Sequence, residues 1–186
     1  EQSGQMETIG FDLYMELLQE TMAEIQGQDI PTVEDTQIDL PITAFIPGDW
    51  ITDPDEKVNT YRLATQCENN ESLVLFASNL VDRYGTLPKP VESLIEVMKL
   101  KNIAKKCGFS RIKLSKPNVE LETMMDEPAF KLLRKGLQNH LHGRFIYKKG
   151  DRCSTVTIRG LGILDSDKLL DQLTEWLKLM NAEIYS

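Results

Sequence analysis

Apolar residues recur at every third or fourth position through most of the first half of this chain, and at every second position in two later stretches. Near the start, Ile9, Leu13, Leu17 and Met22, with Phe11, Tyr14 and Leu18 beside them, predict a helix over residues 8 to 26 that Gly27 ends. The polar stretch GQDIPTVEDTQ has the composition of a linker, and IDLPITAFI then has the β-branched content of a strand. Pro41 lies inside that strand and cannot donate to a ladder, so an edge strand or an interrupted one is expected.

From Asp53 to Cys107 the spacing is helical, broken by turns at ENNES and GTLPKP. In the second of these helices Leu73, Phe76, Ala77, Leu80, Val81 and Tyr84 form one stripe, which leaves Leu75, Ser78, Asn79 and Asp82 on the opposite face. Gly85 suits a left-handed stop and Pro88 forbids continuation. Pro90 has the fixed φ suited to the first position of the next helix, whose Val91, Leu94, Ile95 and Met98 face inward and which ends at Gly108.

The second half changes period. In RIKLSKPNVELET, Ile112 and Leu114 alternate, then Val119 and Leu121, around Lys-Pro-Asn, which predicts a hairpin. Residues 127 to 140 place Phe130, Leu133 and Leu137 on one helical face. RFIYKKGDRCSTVTIRG predicts a second hairpin around Lys149, Gly150 and Asp151, with Val156 and Ile158 inward. A last helix over 166 to 181 buries Leu169, Leu170, Leu173, Trp176, Leu177 and Met180, with Asp165, Ser166 and Asp167 suited to its N-terminus. The expected class is α+β: a helical first half with one leading strand, then hairpin, helix, hairpin, helix, so that helices cover one face of a small antiparallel sheet.

With 186 residues and 41% apolar content, the chain can bury a substantial core. It has no apolar run of about 18 residues and no signal-peptide pattern at its start, so a soluble, cytoplasmic protein is expected, with no membrane partner. Its opening residue, Glu1, hints at a piece of something longer. Cys67, Cys107 and Cys153 show no CxxC spacing and read as free thiols.

Charge is segregated: residues 1 to 100 hold 19 Asp/Glu against 5 Lys/Arg, and residues 101 to 186 hold 10 against 16. That split suits docking faces of opposite sign, or two ordinary solvated faces. Lys99, Lys101, Lys105, Lys106, Arg111, Lys113 and Lys116 form a basic row that a nucleic-acid backbone could follow. Among them Lys101, Lys105, Lys106 and Arg111 are the candidate contacts, although Lys105 and Lys106 also suit a helix C-terminus with no ligand.

Catalytic chemistry is sparse. There is no GxxxxGK[ST] loop for a nucleotide, RGLGI lacks the third glycine of a dinucleotide fingerprint, and no GxSxG elbow is present. His140 and His142 form an HxH pair without the further ligands a metal needs. The pairs Asp53/Asp55 and Asp165/Asp167 read as helix N-terminal charges. No catalytic, metal or cofactor site is expected.

Three segments, EQSGQMETIGFDLYMELL, IDLPITAFIPGDWITD and LVDRYGTLPKPVESLI, stand in the order and spacing of the C-terminal part of bacterial transcription-repair coupling factors. The chain resembles that family closely to about residue 108 and loosely over the remaining 78; the first segment alone also resembles the stretch after the last helicase motifs of RecG.

The resemblance implies a parent that is an ATP-driven DNA translocase, which pushes stalled RNA polymerase off damaged DNA and recruits UvrA. Its motor, with the ATP and Mg, lies upstream. Residues 1 to 27 resemble the trailing segment of that motor, with Gln2, Ser3, Gly4 and Gly10 in the element coupling hydrolysis to movement. Residues 28 to 186 resemble the non-catalytic, autoinhibitory regulatory domain. This domain folds back on the N-terminal damage-recognition module and covers the surface UvrA needs. Asp82 matches an acid that meets arginines of that module; Asn79 stands where a second acid is expected, and Leu75 and Ser78 complete the implied docking face. A nucleic-acid-binding accessory domain using the basic second half is the alternative.

Overall fold

The computed structural model describes residues 30 to 184. The helix expected over 8 to 26, with Gln2, Ser3, Gly4 and Gly10, lies outside the described residues, as does the boundary after residue 27.

Strand β1 (Gln37–Asp39) stops two residues before Pro41 and takes the edge of the sheet, as a proline that cannot donate requires. Three helices follow: α1 (Pro54–Gln66), α2 (Asn70–Tyr84) and α3 (Lys89–Cys107). Each start has a local cause. Asp53 accepts from the Asp55 amide at the head of α1, Asn69 and Ser72 form a reciprocal box at the head of α2, and Pro88 with Pro90 pre-set the first turn of α3.

Strands β2 (Phe109–Ser115) and β3 (Asn118–Thr123) form the first hairpin, and β4 (Phe145–Lys148) with β5 (Ser154–Ile158) the second. The sheet order is β1-β2-β3-β5-β4. Its hairpin pairs are antiparallel, and β1 runs parallel to β2. Between the hairpins lie α4 (Glu127–Arg134) and a 3₁₀ turn (Asn139–Arg144); after β5 come a short 3₁₀ turn (Leu161–Ile163) and α5 (Ser166–Ile184).

The α+β layout expected from periodicity is the observed one. The helix expected over 127 to 140 is shorter, because at Gly136 the chain touches the backbone of α5: a Cβ there would fall on the carbonyl oxygen of Leu179. Helical spacing at Leu137 survives since the following turn still delivers that side chain to the core. In α3, Leu94 is half-buried and Ser93 is the buried neighbour, since α3 is flanked on two sides.

Alternation decides which face of the sheet is covered. Ile112, Val119, Leu121, Val156 and Ile158 are fully buried and meet Leu133, Leu173 and Leu177 from α4 and α5. Each such side chain contributes about 1.5 to 3 kcal/mol relative to exposure. A second cluster joins α1, α2 and the first half of α3 through Ala64, Leu73, Phe76, Leu80, Val91, Ile95 and Met98. Helix α3 serves both, sending Leu100, Ala104 and Cys107 into the sheet core. The helical unit thus has its own small core and is fixed to the sheet by one continuous helix. That arrangement sets α2 on the outside of the molecule.

Candidate docking surface

Burying Leu73, Phe76 and Leu80 turns the other side of α2 outward, because residues three and four apart share a face. Leu75 is 62% exposed, and Ser78, Asn79 and Asp82 are exposed with it. Val81, read as part of the buried stripe, is 43% exposed at its margin. The four candidate docking residues therefore come together on one strip.

Asp82 lies in the last turn of α2, where carbonyl ends already present negative charge. Among the described residues it forms no ion pair. The adjacent cation is committed elsewhere: Arg83 bonds Glu56 of α1 at 2.7 Å, and the Tyr84 hydroxyl donates to the other Glu56 oxygen at 2.9 Å. Partial burial, and then the Glu56 carboxylate, push the Tyr84 phenol up from its ordinary pKa.

Helix α2 ends at Gly85 with φ 89° and ψ −162°. This is an extended positive-φ conformation rather than the left-handed helical one expected, and essentially only glycine adopts it. The Gly85 amide still closes the helix on the Val81 carbonyl. Asn79 borders a recess of about 120 Å³ between α1 and α2, floored by Phe76 and Leu80 and edged by Asn59, Leu63 and Arg83.

The Glu56, Arg83 and Tyr84 cluster was not legible as a unit. Its signal was the DRYG segment, in which Tyr84 reads as core; the structure shows its ring against Trp50 at 5.4 Å and its hydroxyl turned to Glu56.

The basic row behaves differently from an open cationic track. Lys101 pairs with Asp35 at 3.3 Å and Lys99 with Glu96 at 3.0 Å. On the open sheet face Arg111 bonds Asp39 at 2.5 Å and lies 3.9 Å from Glu122, while Lys113 reaches both Glu120 and Glu122. These charges answer one another across β1, β2 and β3 because their register places them side by side. Lys105 and Lys106 occupy the last turn of α3, where cations meet the helix carbonyls. The structure thus separates the four candidate nucleic-acid residues into two ion-paired side chains and two helix-terminal ones.

His140 and His142 sit in the 3₁₀ turn after α4, with a ring nitrogen of His142 donating to the Leu137 carbonyl at 2.9 Å. Among the described residues no group of three or more His, Cys, Asp and Glu could hold a metal ion, and no helix is long and apolar enough to cross a membrane.

Residues 40–130 match the family model described as the TRCF domain. The chain is 33% identical over 117 residues to the transcription-repair-coupling factor of Escherichia coli (strain K12), an alignment covering 60% of this chain and 10% of that protein. To the factor of Bacillus subtilis (strain 168) it is 34% identical over 134 residues, covering 69% of this chain and 11% of that one. To that of Myxococcus xanthus it is 37% identical over 100 residues, or 54% and 8%. The chain spans about a tenth of the length of these relatives.

A crystal structure of the C-terminal domain of a transcription-repair coupling factor shares the fold. Its TM-score is 0.64 at 14% identity, with 84% of this chain and 98% of that chain covered. Family match and relatives agree that residues 40–130 carry the TRCF domain of the transcription-repair-coupling factors, and the fold is that of the solved C-terminal domain of such a factor.

Proposed function

We propose that this domain is a non-catalytic regulatory module that docks, through the outer strip of α2, on the N-terminal damage-recognition module of its parent and masks the surface UvrA needs. The parent is a cytoplasmic DNA translocase acting on stalled RNA polymerase, and the docked state restrains it. The observation that carries this reading is the exposed Asp82 carboxylate, placed against the helix dipole with no cation answering it among the described residues. An arginine from another module would answer it through charge-assisted hydrogen bonds and offset the dipole cost. Leu75 and the Asn79 recess beside it supply an apolar margin for the same contact.

The alternative, a nucleic-acid-binding accessory domain using Lys101, Lys105, Lys106 and Arg111, has less support because Lys101 and Arg111 are already paired within the fold.

Titrating the chain and its Asp82→Arg variant into the separately made N-terminal module tests docking. The variant is expected to bind at least tenfold more weakly, and undiminished affinity overturns the reading. In the intact factor, ATP hydrolysis and UvrA binding should rise together on this substitution, because one closed state suppresses both. A rise in only one of them rejects a single clamp.

A further inference from the structure

The positive excess of the second half is concentrated in one stretch. Residues 131 to 160 carry eight Lys/Arg and a single acid, Asp151. Among the described residues only Lys131 of the eight forms an ion pair, with Glu127. This contrasts with the row at 99 to 116, whose charges are largely answered. Most of the eight flank β4, the edge strand opposite β1: Arg144 and Arg159 at one end, Lys148, Lys149 and Arg152 at the hairpin end.

The arginine end is organised. Arg144 lies over the Trp176 ring at 5.2 Å and donates from Nε to the Arg159 carbonyl at 3.0 Å, which holds its guanidinium in place. Arg144 and Arg159 line one recess of about 530 Å³ with Asn118, Gly143, Gly160 and Ile163, and among the described residues no carboxylate lines it. A Cβ on Gly143 would meet nothing within 4 Å, so the approach is open.

Charged residues commonly blunt an edge strand against pairing. Either sign serves that purpose, yet within residues 131 to 160 every charge but Asp151 is positive, and the acids beside Lys149 and Arg152 at the hairpin end, Asp126 and Glu127, come from the head of α4.

We infer that the β4 edge, from Arg144 and Arg159 to Lys148 and Lys149, binds the phosphate backbone of duplex DNA. Two arginines lining an open, carboxylate-free recess suit phosphate oxygens, for which the guanidinium fork is matched. From Arg144 to Lys148 the strand covers about 13 Å, which sets the arginine pair and the lysine pair apart along one edge, each within reach of its own stretch of phosphate backbone. Base stacking is not offered: Phe145 is buried, and Tyr147 stacks on Phe130 while its hydroxyl bonds Met125 and Ser154. The contact is therefore with the duplex backbone and independent of sequence. It lies away from the α2 strip and stands whether or not that strip docks.

The test is fluorescence anisotropy of the 186-residue chain with a labelled 20-base-pair duplex in 50 mM KCl. Binding is expected, falling roughly a hundredfold by 200 mM for about four phosphate contacts. Arg144→Glu with Arg159→Glu removes the recess but also disturbs the Trp176 contact, so Lys148→Glu with Lys149→Glu at the exposed hairpin is the second variant.

Each pair should weaken binding at least tenfold and flatten the logarithmic salt dependence by about 2. Arg62→Glu, on the exposed side of α1, should stay within about threefold of wild type. Binding unchanged in the hairpin variant overturns the inference, as does absence of binding at 50 mM. A single strand bound tenfold more tightly than the duplex overturns the duplex assignment. Displacement by polyglutamate more effective than by unlabelled duplex at equal charge points to an acidic protein partner and also overturns it.

Discussion

The Arg83 guanidinium lies 2.7 Å from Glu56 on the neighbouring helix, and this commitment leaves the preceding residue, Asp82, without the one cation its own helix turn could have offered. Docking and stability therefore pull in opposite directions at position 82. An acid in the last turn costs about 0.3 to 1 kcal/mol against the dipole, and a cation gains about as much. Asp82→Arg should raise the unfolding free energy of the chain by about 0.5 to 1.5 kcal/mol, read from urea denaturation, while weakening docking on the N-terminal module. A variant less stable than wild type would show that the carboxylate is already compensated within the fold.

Glu56 receives two donors, one from each of the last two residues of α2, so its removal and that of a single donor are not equivalent. Arg83→Ala breaks one largely exposed ion pair and should cost less than about 1 kcal/mol. Glu56→Ala leaves both partners unanswered and should cost more. It should also loosen the end of α2 that presents Asp82, seen as faster amide exchange at Asp82 to Gly85. Equal destabilisation by the two substitutions would deny that Tyr84 shares the carboxylate.

Periodicity made most of this architecture legible because helices and sheet here are each one-sided: Leu73, Phe76 and Leu80 mark the inner face of α2 as plainly as Val119 and Leu121 mark that of β3. What it could not supply was pairing between distant segments. Arg111 and Lys113 look like an open basic track in the sequence, and only the register of β1, β2 and β3 places Asp39, Glu120 and Glu122 beside them. The same limit hid Glu56 from Tyr84, 28 residues apart. Asp82 was legible as exposed, since helical spacing alone fixes that; what the sequence could not show is that Glu56 engages Arg83, the cation next to it.

Gly136 offers a test of the packing that shortens α4. Its φ is not positive, so conformational freedom is not the reason for glycine there; close approach of α5 is. The atom that an added Cβ meets is the backbone carbonyl of Leu179, which no rotamer change can move aside. Gly136→Ala should therefore destabilise by about 1 to 3 kcal/mol, as overpacking does. Gly143→Ala, with open space at the same atom, should be nearly neutral. Thermal unfolding of the pair checks this, and similar melting temperatures for both would contradict the contact.

Alkaline pH should loosen the same core through Cys107. Its side chain is fully buried between α3 and α5, with the thiol donating to the Leu177 carbonyl at 3.3 Å. Burial pushes its pKa far above the ordinary value of 9.0, with the nearby Lys106 charge opposing only in part. The folded chain thus keeps a proton that the unfolded chain releases. Stability from this group is fully present below about pH 9 and falls as pH rises, by about 1 kcal/mol between pH 8 and 10. Desolvation of Cys67 and partial burial of Tyr84 raise those groups too, and both act in the same direction. Cys107→Ala leaves a small void at every pH, so its diagnostic is slope rather than level: the loss of stability from pH 8 to 10 should shrink relative to wild type. Urea unfolding at the two pH values reads this directly, and an unchanged slope would mean that the Cys107 thiol ionises as readily in the fold as outside it.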